Sequence, residues 1–523
     1  MASKLLLALV SFFISIALFS QRDDEKFTLA KGPENEGKHS YIDGVIGVTS
    51  SGVIIARYQK KDLYLELLDE KAAVAKSVLL KDLEYNGHDK KYVGAFILND
   101  KLFLRFSAYD KKKKMAYGLI DEYDPSSLSF MNNVSNESVN VEGMKRVYWY
   151  GAGLGRAFSE MAESGFHISN NSKFIIDYSS AFEKDKTTDE NIALKVYDNE
   201  MQVIWEKEFT IPYANDLFQI KSVIVDDRGN AHLLGKEYLD RSKSSRRGKT
   251  GFKYHVISFM NEGTKVKDNA LEISGHFITD AAMGITADGF LVASGFYGST
   301  NVFSMDGSFS IKIDIDAQKV ISTNKKEFGK EFIQLGMSDR EKKKSDKKED
   351  KGQDLELPDF DLDHLLLMPD GGWILLAEQF YITTRTYTTP GPNGSMSTRT
   401  VTVYNYDDII AVKMNSSGEI EWNVKVTKHQ SSQGGTSMLS YAWANCNNNI
   451  YLVYNSYPFS KDNVVYASVI TADGSITKET VMSDTRDELS LHPAYSERIK
   501  NCKLLLYSAK RNDYQFSYMN MRP

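Results

Sequence analysis

GFLVASGFYG, residues 289–298, leaves a turn on glycine, runs through apolar residues and ends on aromatics and glycine. The same order returns as GVIIARY (52–58), KLFLRFSAY (101–109), KFIIDYSSAF (173–182) and NAHLLGKEY (230–238). It appears again as GWILLAEQFY (372–381), NIYLVYNSY (449–457) and CKLLLYSAK (502–510), which makes eight copies of one apolar strand. Each follows another short strand through a tight turn, such as DDRGN (226–230), ADG (287–289), PDGG (369–372) or NCNNN (445–449). Those turns are built from residues that tolerate positive φ, as hairpin turns require.

A second hairpin comes after seven of these strands, as in LYLELLDEKAAVAKSVLL (63–80), IALKVYDNEMQVIWEKEF (192–209), IIAVKMNSSGEIEWNVKV (409–426) and VVYASVITADGSITKETV (464–481). Alternating apolar and polar residues about a turn mark each as a β-hairpin. The unit is therefore four antiparallel strands, which cannot bury both faces of its sheet alone and must stack on copies of itself. Four-stranded units in this number predict an all-β chain folded as a single β-propeller. We read eight blades, at about 40–80, 90–134, 164–209, 217–274, 276–328, 358–426, 437–481 and 488–521; seven is the alternative if one weak copy is an embellishment. The last copy has only YQFSYMNM (514–521) after its apolar strand, so KFTLA (26–30) is expected to supply its fourth strand and close the ring from both ends of the chain. Closure of that kind also hides open sheet edges.

Composition fits such a ring. The 523 residues carry 64 Lys+Arg against 70 Asp+Glu, a net charge of −6, 12 % aromatics and 2 Cys. That is too aromatic for a disordered chain, too poor in Cys for a disulfide scaffold and not basic enough for a dedicated nucleic-acid binder. The opening MASKLLLALVSFFISIALFSQ places Lys4 before an uncharged run of about 16 residues, short of the roughly 20 that span a bilayer. We read residues 1–20 as a secretory signal and expect an exported, periplasmic or outer-membrane-associated protein. With no Cys near the cut it is not a lipoprotein, and no later segment of the mature chain reads as membrane-spanning.

DDIIAVKMNSSGEIEWNVKV (407–426) resembles the repeat of exported bacterial β-propellers of the Bacteroidota type, a family of uncharacterised function. NIALKVYDNEMQVIWEKEF (191–209) lacks the turn Gly but keeps Trp205 where the other copy has Trp422. The resemblance implies the fold and export, and little about activity, because propellers host many unrelated functions.

In a propeller the loops between second and third strands share one face with the links between blades. The long segments all map there: loops 110–115, 183–190, 240–251 and 383–405, and links 139–164 and 329–358, of which 329–357 reads as a charged, flexible insertion. Loops on a rigid scaffold are where binding usually resides. Basic residues recur in them, with Lys111 and Lys112 in KKKK (111–114), Arg246 and Arg247 in RSKSSRRGK (241–249), and a third run, REKKKSDKKEDK (340–351), diluted by acids. They suit an anionic glycan, lipid headgroups or an acidic partner. YITTRTYTT (381–389) and SMSTRTVTVYNY (395–406) flank PGPNG (390–394) and predict a protruding hairpin, polar on both faces, with Tyr381, Arg385, Tyr387, Arg399 and Tyr404 as candidate contacts for an envelope protein.

Catalytic signatures are scarce. The glycines before Arg156 miss the dinucleotide spacing, leaving at most an anion contact at Arg156. Asp359, Asp361 and Asp363 alternate as Ca²⁺ ligands can, without the glycine or closing Glu of a calcium loop; calcium is thus a weak candidate and no other cofactor is expected. No GxSxG elbow, HExxH or sialidase-type Asp turn is present. Carboxylates meeting at the axis for glycan hydrolysis or a lyase reaction would escape a reading of spacing, so that enzyme remains the rival to a non-catalytic binding module. Cys446 and Cys502 fall in neighbouring blades at the face opposite the long loops, where they form either a disulfide or two buried thiols.

Overall fold

The computed structural model describes residues 26–37, 40–81, 83–140, 144–149, 166–183, 188–240, 251–299, 304–351, 355–390, 395–460, 462–483, 489–510 and 512–522. They form eight antiparallel sheets of four or five strands each, besides two small two-stranded ladders. Sheets are numbered here in chain order. Sheet 1 runs Ser40–Thr49, Gly52–Gln59, Asp62–Leu68, Val74–Leu80, and sheet 7 runs Ala442–Cys446, Asn449–Asn455, Val464–Ile470, Ile476–Ser483, each strand pairing with the next. Sheets 2, 4, 5 and 6 repeat this order from Lys91, Phe218, Phe277 and Phe360. Sheet 3 begins with the short strand Phe166–Ile168, and Met144–Trp149 pairs farther along the same neighbour, Phe174–Glu183.

The second strand of each sheet reads as a continuous apolar run because both of its faces are buried. In sheet 7, Ile450, Leu452 and Tyr454 point into a cluster shared with sheet 6, whereas Tyr451 and Val453 point into one shared with sheet 8. The same division holds around the molecule. Eight buried clusters join sheets 1–2, 2–3, 3–4, 4–5, 5–6, 6–7, 7–8 and 8–1. This chain of two-sided cores returns to its start, and the protein is a β-propeller.

Sheet 8 closes the ring. Phe27–Glu36 pairs antiparallel with Asp513–Met521, from Phe27↔Met521 to Glu36↔Asp513, and covers that strand's edge. The ladder shifts register between Lys31 and Glu34, beside Gly32, where a Cβ would stand 2.3 Å from the Ala72 carbonyl oxygen. Cys446 and Cys502 form a disulfide between sheets 7 and 8.

The segment expected to be a flexible insertion after sheet 5 instead holds two helices, Lys330–Gln334 and Asp339–Glu349. Glu341 accepts from both the backbone N–H and the hydroxyl of Ser338, a Ser-x-x-Glu capping arrangement. Phe328 and Ile333 bury against sheets 5 and 6. Lys425 donates to the carbonyls of Ile333 (3.1 Å) and Leu335 (3.1 Å), satisfying the open end of the first helix. Among the described residues no helix is long and apolar enough to cross a membrane.

Candidate binding face

Antiparallel order puts the turns between first and second strands and between third and fourth strands at one end of every sheet. These turns are short and self-satisfied. Asp226 accepts from the N–H groups of Arg228 (2.9 Å) and Asn230 (2.9 Å), with Gly229 at φ 80°. Against the upward push of burial, His232, the Asn230 side chain and a backbone donor hold the Asp226 carboxyl down to about 2. Neighbouring sheets are stitched together at this end: Trp205 Nε1 donates to the Gly229 carbonyl (2.9 Å), and Trp422 Nε1 to that of Ala472 (2.9 Å). The two tryptophans singled out in the sequence are thus inter-sheet clamps. This end is a base.

The opposite end carries the variation, and its dominant feature is an arm. Strands Trp373–Pro390 and Met396–Met414 of sheet 6 run far past their neighbours, with eight residue pairs from Thr383↔Val403 to Pro390↔Met396. A short strand, Gln430–Ser432, pairs with residues 404–406 and braces the root. Below it lies a buried polar knot. Lys428 Nζ sits 2.7 Å from Glu378 Oε1, Ser440 Oγ donates to Glu378 Oε2 (2.6 Å), and Gln430 Nε2 donates to the Asn455 carbonyl (2.6 Å). The knot ties the arm to sheet 7. Replacing Glu378 by Ala is expected to cost about 3 kcal/mol in urea unfolding, because it leaves the Lys428 charge buried. Lys101→Ala, which breaks an exposed pair with Glu200, should cost under about 1 kcal/mol. Equal losses would contradict this account.

The two faces of the arm differ. One carries Thr383, Arg385, Tyr387, Thr389 and, opposite them, Val403, Val401, Arg399 and Ser397. Val403 is buried, Val401 is half-buried and Gln433 Nε2 donates to the Tyr387 hydroxyl (2.7 Å), so this face leans on the protein. The other face pairs Thr384 with Thr402, Thr386 with Thr400 and Thr388 with Thr398, all exposed. Ile382 and Met396 extend it at 55 % and 64 % exposure.

Of the arm residues picked from the sequence, Arg385, Tyr387 and Arg399 stand exposed on the first face. Tyr381 instead donates to Asp407 Oδ2 (2.9 Å), and burial with that carboxylate pushes its phenol up to about 12. Tyr404 is half-buried at the root, paired with Ser432. Both serve the arm's foundation. Lys111 and Lys112 lie in an exposed turn shaped by Asp110, which accepts from the N–H groups of Lys112 (2.9 Å) and Lys113 (3.0 Å). Arg156, Arg246 and Arg247 lie outside the described residues.

Next to sheet 6, the loop between the second and third strands of sheet 7 presents Tyr457 and Phe459 at 66 % and 57 % exposure. Asn463 Oδ1 accepts from Tyr457 N–H (3.1 Å) and the Tyr457 carbonyl from Ser460 N–H (3.0 Å), which fixes the loop. Phe459 sits at φ 72°, a conformation that costs a bulky residue about 1–3 kcal/mol and recurs at ligand-binding positions. Sequence offered no sign of that strain.

The innermost strands share a bulge that periodicity did not reveal, at the register shifts Ile42/Gly44, Tyr92/Gly94, Ile220/Ser222, Ile278/Asp280 and Leu362/His364. It breaks the simple alternation expected for Asp359, Asp361 and Asp363. Asp363 falls at the bulge and accepts from the Tyr441 hydroxyl (2.8 Å), joining sheets 6 and 7. Asp280 accepts from Tyr254 Oη (3.1 Å) and Leu362 N–H (3.3 Å), joining sheets 4, 5 and 6. Asp43, at the bulge of sheet 1, has its carboxyl pushed upward by burial. Among the described residues no group of three or more His, Cys, Asp or Glu is arranged to hold a metal ion.

Among solved structures the chain is similar to the WD40 domain of SCAP from fission yeast, at 9 % identity over 96 % of each chain and a TM-score of 0.43. It is similar to the polysaccharide lyase Uly1, at 9 % identity over 84 % of this chain and 94 % of that one, TM-score 0.35. An α-L-arabinanase of Penicillium chrysogenum matches at 10 % identity over 72 % and 97 %, TM-score 0.30. No family model matches the chain, and no curated protein matches it. Likenesses this distant carry no argument about activity, and the propeller rests on the sheet order and the closed series of cores.

Proposed function

We propose that the protein is an exported, non-catalytic β-propeller that binds a component of the cell envelope through the face bearing the arm. The observation that carries this reading is the arm itself. Eight cross-strand pairs project beyond the sheet on a braced, buried root, a construction that ring stability does not require. Export is inferred from the leader-like residues 1–20 and from the resemblance to exported bacterial propellers. The Cys446–Cys502 disulfide supports it, since such bonds persist in oxidising compartments. The envelope component is a protein or a glycan.

The rival, a propeller hydrolase or lyase acting on glycans, draws on Asp43, whose raised carboxyl could donate a proton. Asp280 and Asp363 already hold sheets together, so neither is free to complete the usual carboxylate pair with Asp43.

Co-sedimentation with isolated envelopes separates the readings. A variant with residues 384–402 replaced by a two-residue turn, which leaves the buried root at Thr383↔Val403 in place, should keep the parent's unfolding midpoint and remain in the supernatant, while the parent sediments. Equal sedimentation of both proteins would overturn the role of the arm. Steady release of soluble sugar from the envelopes, abolished by Asp43→Asn, would establish the rival.

A further inference from the structure

We propose that the outward face of the arm is a binding strip for a neutral glycan chain. This deepens the preceding reading and rests on it. The face repeats threonine at every second position on both strands, in the pairs Thr384–Thr402, Thr386–Thr400 and Thr388–Thr398. Side chains on one face recur about every 6.8 Å along a strand and about 5 Å across to the partner. Each hydroxyl both donates and accepts, and each methyl beside it is apolar. A pyranose chain presents the same alternation, with hydroxyls at ring edges and C–H groups on ring faces.

Charge and size narrow the occupant. From Ile382 to Pro390 and from Met396 to Tyr404 this face carries no ionisable group except the half-buried Tyr404 at its root. Arg385 and Arg399 belong to the opposite face, so an anionic ligand finds no counter-charge here. Eight residue pairs at about 3.4 Å make a strip roughly 27 Å long and two strands, about 10 Å, wide. Its area, roughly 270 Å², is well below the ~800 Å² per partner of a stable protein interface. A second copy or a globular partner would leave most of its contact unmade, whereas a linear polymer fits the length. On the same face of the propeller, the exposed rings of Tyr457 and Phe459 are available to stack on sugar rings.

The test is affinity electrophoresis of the whole protein in native gels cast with xylan, mannan, hydroxyethyl-cellulose or β-1,3-glucan, with polygalacturonate as the anionic control. At least one neutral polymer should retard the protein, and added salt should not release it, because no ion pair is involved. The triple variant Thr384→Val, Thr386→Val, Thr400→Val keeps branched side chains suited to a strand while removing hydroxyls. It should bind about tenfold more weakly with an unchanged unfolding midpoint. Arg385→Ala with Arg399→Ala, on the opposite face, should bind like the parent. Absence of retardation by every neutral polymer, full binding by the valine variant, or salt-sensitive retardation by polygalacturonate alone would each overturn the proposal. If the arm deletion still abolishes envelope binding in that case, the binding reading stands and only the glycan assignment falls.

Discussion

A chain that begins at Gly37, and so lacks the strand Phe27–Glu36, is expected to lose its closed ring. Eight ladder pairs with Asp513–Met521 disappear, and Phe27 and Leu29 leave the core between sheets 7 and 8. At roughly 1 kcal/mol net per buried backbone hydrogen bond, with the apolar contacts added, the loss is on the order of 5 kcal/mol. The uncovered edge of Asp513–Met521 then offers unpaired N–H and C=O groups to any passing strand. Urea unfolding should show a sharply lower midpoint, and size-exclusion chromatography should show concentration-dependent association. A synthetic peptide of residues 26–36 added in trans should restore the monomer, since an extended segment can complete an open sheet. Gly32→Val is the milder version, as its Cβ would be driven against the Ala72 carbonyl. A truncated chain that stays monomeric with the parental midpoint would show that closure does not depend on this strand.

This ring was legible because its signal is repeated. Any one of the apolar runs, such as NIYLVYNSY, is ambiguous alone, but copies at regular spacing with glycine turns admit few architectures. The pairing of KFTLA with the last strand followed from counting strands. The details that position side chains were less visible, because they arise from contacts rather than local pattern. The bulges of the innermost strands decide where Asp43, Asp280 and Asp363 point, and no spacing rule announces a bulge. The arm was recognised as a hairpin, yet it was read as polar on both faces alike. Only the register assigns the six threonines of the Thr384–Thr402, Thr386–Thr400 and Thr388–Thr398 pairs to one face and both arginines to the other. The helical insertion was missed for a simpler reason. Its run of charges reads as a solvated segment, whereas the helix starts from the contact between Ser338 and Glu341.

Removing the disulfide, as Cys446→Ala with Cys502→Ala, should lower stability by about 4 kcal/mol, the chain-entropy value for the 56-residue separation that the bond closes. Its native contribution is concentrated at one seam. Cys502 N–H donates to the Asn445 carbonyl (3.0 Å) and the Cys502 carbonyl accepts from Met521 N–H (2.9 Å). Arg498 Nη1 reaches Asn445 Oδ1 (2.8 Å), and the Tyr451 hydroxyl lies 3.2 Å from the carbonyl of Lys26 and 3.0 Å from that of Arg522. Both ends of the described chain are therefore held against sheet 7 beside the bond. Sheet 8 meets sheet 1, by contrast, without a disulfide: the contacts include a buried cluster, the Tyr518 hydroxyl donating to the Asp69 carbonyl (3.0 Å) and the Arg57 guanidinium 5.4 Å from the Tyr514 ring centroid, beside the chain running from Glu36 to Ser40. Local opening follows the weaker boundary. Hydrogen exchange in the intact protein should thus release the sheet 8–1 seam first, while residues 442–446 and 503–510 stay protected. In the cysteine-free protein both seams should open together. Because the bond and the strand Phe27–Glu36 hold the same sheet, their losses should combine to less than their sum, by 0.5 kcal/mol or more, about the scale of coupled neighbours. Strict additivity, or unchanged protection at sheet 7 after the double substitution, would separate the disulfide from ring closure.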